Sequence, residues 1–126
     1  MEEHVRLMRF FYKAQVDRVV DGDTVDLIID LGFDVLHKVR IRLHGVNAPE
    51  SRTRDLEEKA LGLAAKDYVS NWLTESDAVY VKTLKDGTGK YGRILGYIYA
   101  DEHMAKCLND DIIGAGHGVP YYGGKR

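Results

Sequence analysis

Val39-Arg-Ile-Arg-Leu-His-Gly-Val-Asn-Ala-Pro-Glu50 is the stretch around which the chain is organised. Val39, Ile41 and Leu43 alternate with Arg40, Arg42 and His44, which gives a strand with one apolar and one basic face. Gly45 and Pro49 then break the strand and leave Asn47, Ala48 and Glu50 in a bend. A cationic face thus runs into a loop that carries an amide oxygen and a carboxylate. That pairing suits a site holding a phosphate and a metal together. The plainer alternative is an amphipathic edge strand ending in a turn.

Upstream, Phe10 to Val20 reads as a first strand. Asp21-Gly22 follows it, and Val25, Leu27, Ile29 and Leu31 alternate through Thr24 to Leu31. Asp-Gly between two apolar runs signals a hairpin. Gly32 marks the next turn, and Leu36 to His44 is the third strand, so the three form a bent antiparallel meander. Downstream, Ser51 to Arg54 is polar and loop-like. Leu56, Ala60, Leu61, Ala64, Tyr68 and Trp72 then recur at helical spacing. Asp55 is the expected N-cap, with Glu58 three residues on. Gly62 in mid-helix is poor for propensity, which points to close packing against a strand.

Ala78 to Leu84 reads as a fourth strand, Asp86 to Gly89 as a turn, and Arg93 to Ala100 as a fifth strand. Asp101 is expected to cap a short helix reaching about Ala115. The tail, G-H-G-V-P-Y-Y-G-G-K-R, is too rich in Gly and Pro for regular structure. Residues 1 to 8 and about 119 to 126 are expected to be flexible. Five short strands with a helix between the third and fourth give a mainly β fold with helices (α+β). The order is that of an OB-fold, a Greek-key barrel that often binds nucleic acids or sugars.

The 126 residues fit one domain. With 44% hydrophobic and 30% charged residues the chain reads as globular. Its formal net charge of -2 gives no global positive field, so a polyanionic partner would need a local patch. Cys107 is the one cysteine, which excludes an internal disulfide. No apolar run suits a signal peptide or a membrane span, so a cytoplasmic protein is expected, and a phage origin would suit so compact a chain.

On the acidic side stand Asp21, Asp23 and Glu50. Hard divalent cations take carboxylate, amide, carbonyl and water oxygens, and the Asp21–Asp23 turn can meet the Asn47–Glu50 bend at one end of the barrel. Asp-Gly-Asp is equally ordinary turn chemistry, and the spacing is not that of an EF-hand. On the basic side, Arg42 and Arg93 offer bidentate donors to phosphate oxygens, or are solvated strand residues. His4, His37, His44, His103 and His117 show no metal spacing, and His44 alone is a candidate for phosphate contact. Neither a G-x-S-x-G elbow nor a phosphate-cradling Walker loop is present.

Three motifs in order, V-V-D-G-D-T-V from Val19, the Val39–Glu50 stretch, and G-K-Y-G-R-I-L-G-Y-I-Y-A-D from Gly89, resemble the staphylococcal nuclease (thermonuclease) family. The resemblance runs from about Val16 to Tyr122. It implies an OB-fold barrel that cleaves DNA and RNA with calcium, leaving a 5′-hydroxyl and a 3′-phosphate. It further implies Asp23 as the main calcium carboxylate, Asn47 where the family usually has a second metal-binding Asp, and Ala48 as a carbonyl ligand. Glu50 would position or deprotonate the attacking water, and Arg42 and Arg93 would grip the phosphate. Lys90 and Tyr91 match positions that touch a terminal phosphate, and Tyr121 or Tyr122 matches a tyrosine beside the nucleotide. The partner is then single-stranded or denatured DNA or RNA, taken by a monomer.

Two departures stand out. Asn47 removes one negative charge, which predicts weaker calcium binding and opens the site to another divalent cation. The chain also stops soon after Tyr122, where the family prototype continues into a further helix. A non-catalytic nucleic-acid-binding OB module is the competing reading, and a protein-interaction module a third. Retention of Asp23, Arg42, Glu50 and Arg93 favours the enzyme, because a bare binder needs stacking aromatics instead.

Overall fold

A computed structural model describes residues 10–76, 78–84 and 93–121, with only the backbone described at Arg93. Its strands are β1 (Phe11–Asp21), β2 (Thr24–Asp30), β3 (Leu36–Leu43), β4 (Val46–Asn47), β5 (Val79–Thr83), β6 (Arg93–Tyr99) and β7 (Val119–Pro120). The helices are α1 (Leu56–Thr74) and α2 (Leu108–Gly114). The order β1-β2-β3-β6-β5 closes into a five-stranded barrel, and β4 pairs with β7 in a separate two-stranded sheet. This is the OB-fold barrel read from the strand order.

Period-2 patterning explains the barrel. Val25, Leu27 and Ile29 of β2 and Val39, Ile41 and Leu43 of β3 all turn inward and are buried. Val79, Val81 and Ile98 meet them from β5 and β6, and Val69, Trp72 and Leu73 of α1 join the same core. β2 and β3 pair antiparallel with Thr24 opposite Arg42 and Asp30 opposite Leu36. β3 and β6 pair parallel, with Arg40 opposite Arg93 and Arg42 opposite Leu95.

Three expectations are corrected. The expected inner stripe of α1 holds only at its C-terminal end, where Trp72 is buried and Tyr68 packs against the core; Leu56 is 79% and Leu61 61% exposed, and Ala60 and Ala64 are exposed too. The buried face is Gly62, Ala65, Val69, Trp72 and Leu73. Small residues face inward because the helix lies almost in contact with two turns of the barrel. Gly62 therefore packs against the bend at Glu50 and Ser51, not against a strand. At the start of α1, Asp55 does cap, accepting hydrogen bonds from the Glu57 and Glu58 amides.

Asp101 caps no helix. Its carboxylate accepts the amides of His103, Ala105 and Lys106 in a loop where Met104 is left-handed, and α2 begins only after Cys107. Those amides hold its carboxyl below the usual range. The tail, expected to be irregular, adds β7: Val119 pairs with Asn47 and Pro120 with Val46. Among the described residues no helix is long and apolar enough to cross a membrane.

Candidate active site

The β1–β2 turn and the segment after β3 meet at one end of the barrel because backbone bonds hold them together. The Leu43 amide donates to the Asp23 carbonyl (2.8 Å), which docks the turn on β3. Asp23 is buried, and its carboxylate accepts the Thr24 hydroxyl and the Ala48 amide, each at 3.0 Å. One side chain thus joins the turn to the Asn47–Ala48 segment. The neighbouring carboxylate, Asp21, accepts the amide (3.3 Å) and hydroxyl (2.5 Å) of Ser51 through Oδ1.

Arg42 crosses between these turns. Its Nη1 donates to the carbonyls of Leu43 (2.9 Å) and Val46 (2.5 Å). Its Nη2 lies 3.5 Å from Asn47 Oδ1 and 3.7 Å from Asp23 Oδ2. The side chain is 13% exposed, so the guanidinium is fixed in place rather than waving in solvent. The next outward cation on β3 is different: Arg40 is bound bidentately to Asp26 at 2.8 and 3.1 Å, and holds that carboxyl below the ordinary carboxylate range.

A cleft of about 320 Å³ opens here, lined by Asp21, Asp23, Thr24, Arg42, Asn47, Ala48, Glu50 and Tyr121. Tyr121 is brought in by its amide, which donates to the Gly45 carbonyl (2.9 Å) beside β7. The polar side chains of the cleft are three carboxylates, the Thr24 and Tyr121 hydroxyls, the Asn47 amide and the Arg42 guanidinium. A larger cavity of about 470 Å³ lies across the Asn47–Pro49 segment, lined in part by Asp55, Glu57, Glu58 and Leu61. Its charged side chains are all carboxylates, whereas the smaller cleft sets Arg42 among its three carboxylates and so offers a phosphate a cationic partner.

Seven expected residues therefore share one cleft: Asp21, Asp23, Arg42, Asn47, Ala48, Glu50 and Tyr121. Arg93 begins β6 beside Arg40, and its backbone alone is described. Lys90, Tyr91 and Tyr122 lie outside the described residues. His44 is not among the cleft residues; its ring packs edge-on to Tyr97 at 5.5 Å. Sequence reasoning missed Thr24 and Ser51, whose hydroxyls hold the two aspartates. Cys107 is half-buried, and burial pushes its thiol up, which makes it a poor nucleophile.

Hard cations take such oxygens, so Asp23, Asn47 and the Ala48 carbonyl are chemically suited to a divalent ion. Both Asp23 oxygens already accept one hydrogen bond each, and each keeps a further lone pair. Among the described residues no three His, Cys, Asp or Glu side chains converge on one ion position. Of Asp23, Asn47 and Ala48, only Asp23 carries a carboxylate; the Asn47 amide and the Ala48 carbonyl are neutral oxygens.

Comparison with known proteins identifies the family. The family described as "Staphylococcal nuclease homologue" matches residues 40–124. Endonuclease YhcR of Bacillus subtilis is 34% identical over 116 residues, 88% of this chain and 9% of that protein. Thermonuclease of Staphylococcus intermedius is 34% identical over 89 residues, 71% of this chain and 49% of that protein. Micrococcal nuclease of Shigella flexneri is 28% identical over 89 residues, 71% of this chain and 43% of that protein. The chain spans about half or less of the length of each of these relatives. Matched in sequence over two of its three motifs and in the closed barrel that carries them, the chain belongs to the staphylococcal nuclease family.

Proposed function

We propose that this chain is a metal-dependent nuclease that hydrolyses phosphodiester bonds of DNA and RNA. The observation that carries the reading is the cleft that Asp21, Asp23 and Glu50 line together with a part-buried, anchored Arg42. A structural cluster has no need to place an exposed carboxylate, Glu50, at the rim of a site whose arginine is held by backbone carbonyls.

Glu50 holds a water and takes its proton as the oxygen attacks phosphorus in line. The P–O5′ bond breaks opposite the new P–O bond, so the products are a 3′-phosphate and a 5′-hydroxyl. Arg42, together with Arg93 by the family resemblance, neutralises the charge that grows on the phosphoryl oxygens. Because Arg42 is already fixed, no reorganisation is needed when that charge develops. Asp23, Asn47 and the Ala48 carbonyl would hold calcium or a related divalent ion. When bound, that ion supplies Lewis-acid charge to the scissile phosphate.

The test is cleavage of denatured DNA and RNA with calcium, magnesium or manganese, and with chelator. Glu50→Gln removes the base but keeps the shape, and the rate is expected to fall by about 10²–10⁴-fold. Chelator is expected to abolish cleavage. Binding without cleavage in every metal would refute the enzyme and favour a nucleic-acid-binding OB module.

A further inference from the structure

We propose that Gly62 of α1 is a positioning residue for Glu50, acting through the peptide unit that joins Glu50 to Ser51. The inference rests on the nuclease reading above and adds to it how the base is held in place. A Cβ built on Gly62 would lie 2.3 Å from the Glu50 carbonyl oxygen, 2.4 Å from its carbon and 2.7 Å from the Ser51 nitrogen. The helix backbone therefore rests directly on the peptide that follows the base. On its other flank, the Ser51 amide and hydroxyl both donate to Asp21. That peptide is clamped between a helix and a carboxylate of the catalytic cleft.

The Glu50 side chain itself is exposed and has no hydrogen-bond or ion-pair partner among the described residues. Only its backbone fixes where it starts, so the clamp decides where the carboxylate can reach. One turn further along the same face of α1 is Ala65. A Cβ on Gly22 would meet Ala65 Cβ at 2.8 Å and Ala48 Cβ at 3.0 Å. The two turns that supply the acidic side chains are thus both registered against one rigid helix face. A site held by regular structure is more precise than one held by loops. This accounts for a residue in mid-helix that weakens the helix relative to alanine.

Gly62→Ala must push the Glu50 peptide or the helix back by roughly 1 Å, and a displacement of that size can lower a rate by about 10²-fold. The experiment compares wild type, Gly62→Ala, Glu50→Gln and the double variant on denatured DNA with saturating metal. Expected is a kcat loss near 10²-fold in Gly62→Ala with KM within about twofold. Adding Gly62→Ala to Glu50→Gln is expected to cause no further loss, because both act through one carboxylate. A full additional loss in the double variant, or an unchanged kcat in folded Gly62→Ala, would overturn the proposal. If Gly62→Ala does not fold, Ser51→Ala loosens the same clamp, and a severalfold kcat loss that vanishes in Glu50→Gln supports it. A wild type that cleaves nothing would sink the nuclease reading and this catalytic role with it. A wild type that cleaves, with additive Gly62 and Glu50 effects, would sink this inference alone.

Discussion

Asn109 offers the sharpest test of how the barrel end is held. It lies in α2 and is 2% exposed. Its Nδ2 donates to the carbonyls of His44 (2.9 Å) and Gly96 (3.1 Å), and its Oδ1 accepts the Ile98 amide (3.1 Å). One amide thus ties the end of β3 and the middle of β6 to the helix. Asn109→Ala deletes these three bonds, each worth about 1 kcal/mol net, and a weak one from the Cys107 thiol to Oδ1 at 3.8 Å. The void it leaves adds about 1 kcal/mol. The sum, about 4 kcal/mol, corresponds to a Tm loss of roughly 15 °C for a domain of this size. Thermal unfolding by circular dichroism, paired with a denaturant titration read by Trp72 fluorescence, measures it. Asn109→Asp separates donor loss from void. Burial and two facing carbonyls raise the pKa of the introduced carboxyl above its unfolded value of about 3.9. Stability therefore falls as pH rises from about 4 toward the folded pKa, and the deficit is larger at pH 7 than at pH 4. A loss below 1 kcal/mol in Asn109→Ala, or a deficit in Asn109→Asp that shrinks with rising pH, would refute this account.

Two further outcomes are expected. Asn47→Asp restores a charge to the candidate metal set, and the metal concentration for half-maximal cleavage should drop by roughly tenfold; no change would show that Asn47 does not face the ion. Asp26→Asn breaks the bidentate pair with Arg40, whose side chain is 43% exposed, so the loss at pH 7 should be only about 1 kcal/mol. Because Arg40 depresses the Asp26 pKa, that stability is present above the unfolded value near 3.9 and disappears as pH falls through the folded one. Unfolding of the two proteins as a function of pH should converge at the acid end.

The barrel strands were legible because a period of two survives any tertiary context: Val39, Ile41 and Leu43 could share only one face. The helix was legible as a helix but not in its orientation. Large side chains such as Leu56 and Leu61 dominate a hydrophobic count, whereas Gly62 and Ala65 face inward for lack of bulk, a reason that lies in the neighbouring turns. Asp101 is adept at satisfying amides, and nothing local says whether those amides belong to a helix or a loop. β7 depends on a partner, Val46–Asn47, more than seventy residues earlier in the chain. The acidic and basic cleft residues were legible because they sit in short motifs at turns. The Asp21–Ser51 bond was not, since it joins positions thirty apart through the fold.

The parallel seam between β3 and β6 joins residues 40–43 to residues 93–96, about fifty positions away in the chain. The β1–β2–β3 meander needs only neighbouring segments to zip together, while the seam must first surrender the entropy of a long intervening loop. The meander is therefore cheaper in chain entropy than the seam, and the turn that carries Asp21 and Asp23 can be built before the strand beginning at Arg93 is laid beside Arg40.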